Sequence, residues 1–185
     1  MVPLAALWLP TLLSAIIIFI ASSIMNTVLP YHRSDYRQLP EEDKLLAVLR
    51  GAGLTRGLYI FPFATHKEMK TPAIQEKYKQ GPVGMMTLYP NGPVVLPKFL
   101  IQWFLYCLLI IFFVAYLAAH TVLPAAPVRH VFRVVGTAAF LGFGLGCFAN
   151  VIWKGQTWSA TLKEVFDGLV YALLTAATFA WLWPH

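Results

Sequence analysis

Four long apolar runs set the frame of the chain, at about 4–29, 99–119, 131–152 and 162–183. Each supplies the roughly 20 helical residues that cross a hydrocarbon core of ~30 Å. The first has no basic start and outruns the apolar core of a signal peptide, so it reads as a retained span. An even number of spans places both termini on one side. The second run, FLIQWFLYCLLIIFFVAYLAA, is packed with Leu, Ile and Phe and predicts a helix facing lipid over much of its girth. The third, VFRVVGTAAFLGFGLGCFANVIW, carries Gly136, Gly142, Gly144 and Gly146. Gly142 and Gly146 form a small-xxx-small pair that lets another helix approach closely, which predicts the third span at the bundle centre. Pro124 and Pro127 make a short turn between spans two and three.

Polar patterning returns between spans one and two. Residues 31–98 hold 10 of the 14 Lys and Arg and 6 of the 8 acids. LPEEDKLLAVLRGAG reads as a short helix, with Pro40 and three acids at its start, Leu45, Leu46 and Leu49 on one face, and Gly51 as a stop. GLYIFPF is strand-like. TPAIQEKYKQG predicts a second helix with Thr71 as N-cap, Pro72 at the first position and Gly81 beyond the end. VGMMTLYPNGPVVLP predicts a hairpin around Pro90, Asn91 and Gly92. The expected fold is therefore an all-α membrane protein of four transmembrane helices with a small α/β extramembrane cap between helices 1 and 2. Residues 1–30 form the first helix, 31–98 the cap and 99–185 helices 2–4. So short a cap needs a surface to rest on.

Composition sharpens the class. At 58% hydrophobic and 12% charged, the chain is far from the quarter-charged composition of soluble domains, and the lipid bilayer is its first partner. The net charge of +6 comes mostly from residues beside apolar runs, where topology and anionic lipid account for it, so nucleic acid is not an expected partner. Arg33, Arg37, Lys44, Lys98, Lys154 and Lys163 flank the connections on the cap side, against Arg129 and Arg133 opposite. The positive-inside rule then predicts a cytoplasmic cap and external termini. Cys107 and Cys147 lie within apolar runs and read as small core residues.

Reaction motifs are missing: there is no phosphate-binding loop, no GxSxG and no HExxH. His66 with Met69, Met85 and Met86 lacks metal-ligand spacing, and His120 and His130 sit at span ends, so neither a metal nor a cofactor is expected. Chemistry concentrates instead in TLKEVFDGLVYALL, residues 161–174. Thr161 and Glu164 match a capping box. Asp167 lies deeper, where a carboxylate costs ~2–3 kcal/mol unless it faces protein or water. Glu164, Gly168, Tyr171 and Thr175 share its helical stripe, so the stripe is expected to face inward. Asn26, Gln102 and Asn150 fall at a similar depth on the other three spans, and Lys154 sits beside them between Trp153 and Trp158. This polar layer under the cap is either interhelical glue or a site for a ligand or ion.

The segments IASSIMNTVLPYHRSDYRQLPEED, KYKQGPVGMMTLYPNGP and LKEVFDGLVYALLTAATFAWLWP resemble those of small, uncharacterised four-span bacterial inner-membrane proteins. The resemblance implies a bacterial inner-membrane location and the architecture above; that family carries no assigned activity, so no residue role follows from it. Two functions remain open, with a membrane enzyme using Glu164 and Asp167 as paired acids in third place. The expected one is a non-enzymatic accessory or assembly subunit of a larger membrane complex, working by association with other subunits or itself. The alternative is a small-molecule, lipid or proton-handling protein that uses Asp167, Glu164, Tyr171 and Lys154.

Overall fold

A computed structural model describes residues 1–184. Four helices among the described residues are long and apolar enough to cross a membrane, at Leu4–Val28, Leu96–Thr121, Val128–Lys154 and Trp158–Trp181. They fit a multi-pass membrane protein. The chain divides into two compact units, one of Met1–Tyr36 with Val95–His185 and one of Arg37–Val94. The boundary shifts the expected cap inward: residues 31–36 belong with the helices.

In the helical unit, the first span opens with a 3₁₀ turn (Leu4–Leu7), continues as α1 (Trp8–Ser23) and ends in a wide π-helical turn (Ile24–Val28). The second is α4 (Leu96–Thr121), entered through Pro97 in its first turn, where the missing N–H costs no hydrogen bond. The third is broken into α5 (Val128–Phe143), a 3₁₀ turn (Leu145–Cys147) and α6 (Phe148–Lys154). The fourth is α7 (Trp158–Trp181).

The fourth span, not the third, is central. Half of its most apolar window is buried (50%), against 22% in the third, and it packs on both α1 and α5. Its sequence explains this: Gly168, Ala172, Thr175, Ala176 and Phe179 make one continuous buried stripe of mostly small residues. Inside lipid the apolar effect does not drive helices together, so close van der Waals packing must. The closest approach occurs at Gly168, where an added Cβ would lie 2.5 Å from the Cα of Gly144. The two glycines of the small-xxx-small pair differ in their surroundings. A Cβ at Gly142 would meet Ile110 of α4 at 2.8 Å, whereas one at Gly146 meets nothing within 4 Å. The break after Gly144 turns the later residues out of helical phase, which removes Gly146 from the packed face.

The bundle has unlike ends. At the end holding the two termini, Leu7, Ile18, Ile111, Val122, Val131, Val135 and Phe179 are almost wholly buried. Three long-range hydrogen bonds tie that end: Val2 N donates to Ala119 O (3.2 Å), Ala125 N to Pro184 O (3.1 Å) and Trp183 Nε1 to Leu123 O (3.1 Å). The other end is polar and open.

In the second unit, α2 (Glu42–Gly51) and α3 (Pro72–Gln80) accompany a two-stranded antiparallel sheet of β1 (Gly57–Phe61) and β2 (Gly84–Leu88). The expected hairpin around Pro90–Gly92 does not form. Pro93 and Pro97 cannot donate to a ladder, and β2 pairs back to β1 across α3 with Tyr59 opposite Met86. No side chain of this unit is buried.

Candidate functional site

The polar end is built where the chain leaves the first span and enters the last. The π-helical turn carries Asn26 and Thr27, and Leu29 is extended (ψ 134°), as the residue before a proline prefers. Pro30 then opens a 3₁₀ turn, Pro30–Asp35, that presents Tyr31, His32 and Asp35 to α7. Across from it, α7 starts a turn earlier than Thr161. Thr157 is the N-cap, accepting from Ala160 N at 3.3 Å. The capping box expected at Thr161 and Glu164 is thereby corrected: Thr161 is buried inside the helix with its hydroxyl unpartnered among the described residues, and Glu164 accepts from Gln156 Nε2 at 2.8 Å. Asp167 consequently lies nine residues past the first helical residue, roughly 13 Å along the axis.

Asp167 is 6% exposed. Its Oδ1 accepts from the Tyr31 hydroxyl, and its Oδ2 faces His32 Nε2 at 2.9 Å. The other imidazole nitrogen, Nδ1, meets Asp35 Oδ2 at 2.7 Å. Lys163 closes the chain of contacts, its Nζ donating to Asp35 Oδ1 (2.5 Å), the Tyr31 carbonyl (2.6 Å) and Ser34 Oγ (2.8 Å). The result is a continuous run, Asp167, His32, Asp35, Lys163, joining residues about 130 positions apart.

Electrostatics reflect this arrangement. Burial alone would lower the His32 pKa, but hydrogen bonds and charges from Asp35 and Asp167 outweigh it and hold the value above 6.5. Protonated, the ring donates through both nitrogens to carboxylates. Burial would likewise raise Asp35, yet bonds to Lys163 and His32 hold its carboxyl below the ordinary value. Tyr31 is pushed well above the usual phenol range by burial and by Asp167, so it stays a neutral donor.

Beside the network lies a cavity of about 690 Å³. Asn26, Glu164, Asp167 and Tyr171 line it, with Ser22, Ser23, His32, Asp35 and Gln156 on the polar side. Trp103, Tyr106, Phe143 and Leu100 supply apolar wall, and Trp103 Nε1 donates to Ser22 Oγ at 2.8 Å. Three residues expected in the polar layer are not part of the lining. Gln102 and Lys154 are exposed, and Asn150, half-buried, accepts through its backbone carbonyl from Gln156 N (3.4 Å). Sequence reasoning misses Tyr31, His32 and Asp35, which it assigns to the cap. The available signal is a His and an Asp three apart directly after Pro30, a spacing that faces one way on a tight turn. Among the described residues no group of three His, Cys, Asp or Glu could hold a metal ion. The chain matches no protein-family model, no curated protein and no solved structure.

Proposed function

We propose that the chain is a multi-pass membrane protein that binds a small molecule in this cavity, with occupancy coupled to the proton held by the Asp167, His32 and Asp35 network. The carrying observation is a buried span carboxylate, Asp167, joined to a titratable imidazole in the wall of a cavity of about 690 Å³. That volume falls in the ~300–1,000 Å³ range of small-molecule sites. The cavity is blind: the far half of the bundle is filled by Leu7, Ile18, Ile111 and Phe179, so a single chain binds rather than conducts. The distribution of Lys and Arg supports a cavity opening to the cytoplasm. The resemblance noted for three segments supports a bacterial inner membrane.

Native mass spectrometry of the full chain released from nanodiscs of host lipid tests this. Wild type should retain a small molecule. Ser23→Trp, which puts a bulky side chain into the lining, should lose it while melting within a few degrees of wild type, and Asp167→Asn should lose it while staying folded but melting lower, by the loss of its charged bond to His32. Equal retention by both variants, or an empty wild type, would overturn the reading.

One observation favours a second reading, that of an accessory or assembly subunit. Residues 37–94 bury no side chain, while Leu58, Ile60 and Phe63 are 59%, 50% and 76% exposed. A unit without a core gains its stability from whatever covers it. If the chain migrates in mild detergent as a complex with other subunits, and residues 37–94 crosslink to them, association is its work; a lone chain would exclude this.

A further inference from the structure

The lining of the cavity identifies a class of ligand. We infer that the site takes an organic cation, an amine or quaternary ammonium group held between Glu164 and a circuit of four aromatic side chains. This rests on the reading of the cavity as a binding site. Two observations carry it.

The first is the aromatic lining. Trp103, Tyr106, Phe143 and Tyr171 all contribute to the wall. Their ring centroids are separated by 5.5 Å (Trp103 to Tyr106), 6.3 Å (Tyr106 to Phe143), 5.8 Å (Phe143 to Tyr171) and 6.4 Å (Tyr171 to Trp103), the last three meeting edge to face, which closes a packed circuit across three spans. Aromatic rings attract cations through their electron-rich faces, by ~0.5–2 kcal/mol each, and quaternary ammonium groups are recognised this way.

The second is a charge left over. Three carboxylates line the cavity: Asp35, Glu164 and Asp167. The cations nearby are committed, Lys163 to Asp35, and His32 to both Asp35 and Asp167. Glu164 is met by neutral groups, the amide of Gln156 and the thiol of Cys147, and no cation bridges it among the described residues. Half-buried in the cavity wall, Glu164 is the one lining carboxylate whose charge no neighbouring cation balances, and a cationic guest supplies that charge. An anionic guest would find no free cation, since Lys154 is not part of the lining. A metal ion would leave the aromatic circuit without a role.

The test uses the full chain in nanodiscs of zwitterionic lipid and three probes in equilibrium dialysis. These are benzyltrimethylammonium, its uncharged carbon isostere neopentylbenzene, and anionic benzenesulfonate. The cation should bind saturably and about tenfold or more tightly than the isostere, with benzenesulfonate not binding. Glu164→Gln keeps the hydrogen bond with Gln156 and should weaken the cation about tenfold; Tyr106→Leu, at an exposed ring without hydrogen bonds, should weaken it several-fold. Neopentylbenzene or benzenesulfonate binding as tightly as the cation overturns the ligand class while leaving the cavity a binding site. An unchanged affinity in Glu164→Gln overturns it too. If none of the three probes saturates, the inference falls even where native retention upholds the cavity.

Discussion

His32 is the residue through which pH reaches the fold. Its pKa is raised in the folded state, so its contribution to stability is complete below about pH 6.5, its unfolded value, and is lost as pH rises through the folded value. Asp35, held low, contributes fully above about pH 4 and loses that contribution as pH falls through its depressed value. Stability conferred by the network is therefore greatest between about pH 4 and 6.5 and declines toward alkaline pH. Charged hydrogen bonds of this kind are worth ~1.5–3 kcal/mol each. His32→Gln should flatten the fall in melting temperature between pH 6 and 8.5; an unchanged slope would show that another group titrates. Asp167, Glu164, Tyr171 and Asn26 are legible in the sequence because a polar side chain inside an apolar run stands out. Tyr31, His32 and Asp35 are not, because in a polar connection they look like any solvated turn. Their role comes only from meeting a helix about 130 residues later.

At the scale of elements, length and apolarity alone locate all four helices able to cross a membrane. Which span is central cannot be read from glycine spacing. The small-residue pattern of the third span is interrupted by its own break, so Gly142 packs against Ile110 while Gly146 faces open space. The fourth span, whose Asp167 stripe is expected to face inward, holds the tightest of the glycine contacts, Gly168 on Gly144. Gly168→Leu should therefore cost at least the ~1–3 kcal/mol typical of overpacking, because backbone opposes backbone and neither side can turn away. Gly146→Leu should be nearly neutral. Thermal unfolding in detergent compares them directly, and equal losses would mean that the third-span break is not packed as described. The failed hairpin has a similar cause: the turn signal at Asn91–Gly92 is real, but Pro93 and Pro97 bar the residues after it from pairing as a strand.

The helical unit has a closed apolar end and an open polar end, and the unit of residues 37–94 has a sheet and two helices that lack a core. Residues 79 and 126 lie in connections that the positive-inside count puts on opposite sides. Single cysteines at Lys79 and Ala126 should be labelled by impermeant reagent from opposite faces of sealed membranes. Labelling of both from one face would reject the four-span topology, and labelling of position 79 from outside intact cells would reverse its orientation.

The site also fixes when in the life of the chain it comes to exist. Tyr31, His32 and Asp35 are synthesised about 130 residues before Lys163 and Asp167, their partners. Three spans can enter the bilayer while both halves of the network are still apart, with a histidine and an aspartate waiting at the mouth of an incomplete bundle. Only insertion of the last helix closes the high-contact-order pairing and forms the cavity wall in the same step. If the cavity binds as proposed, a ribosome stalled before residue 163 would carry a chain that has Tyr31, His32 and Asp35 but neither Lys163 nor Asp167 to complete the site.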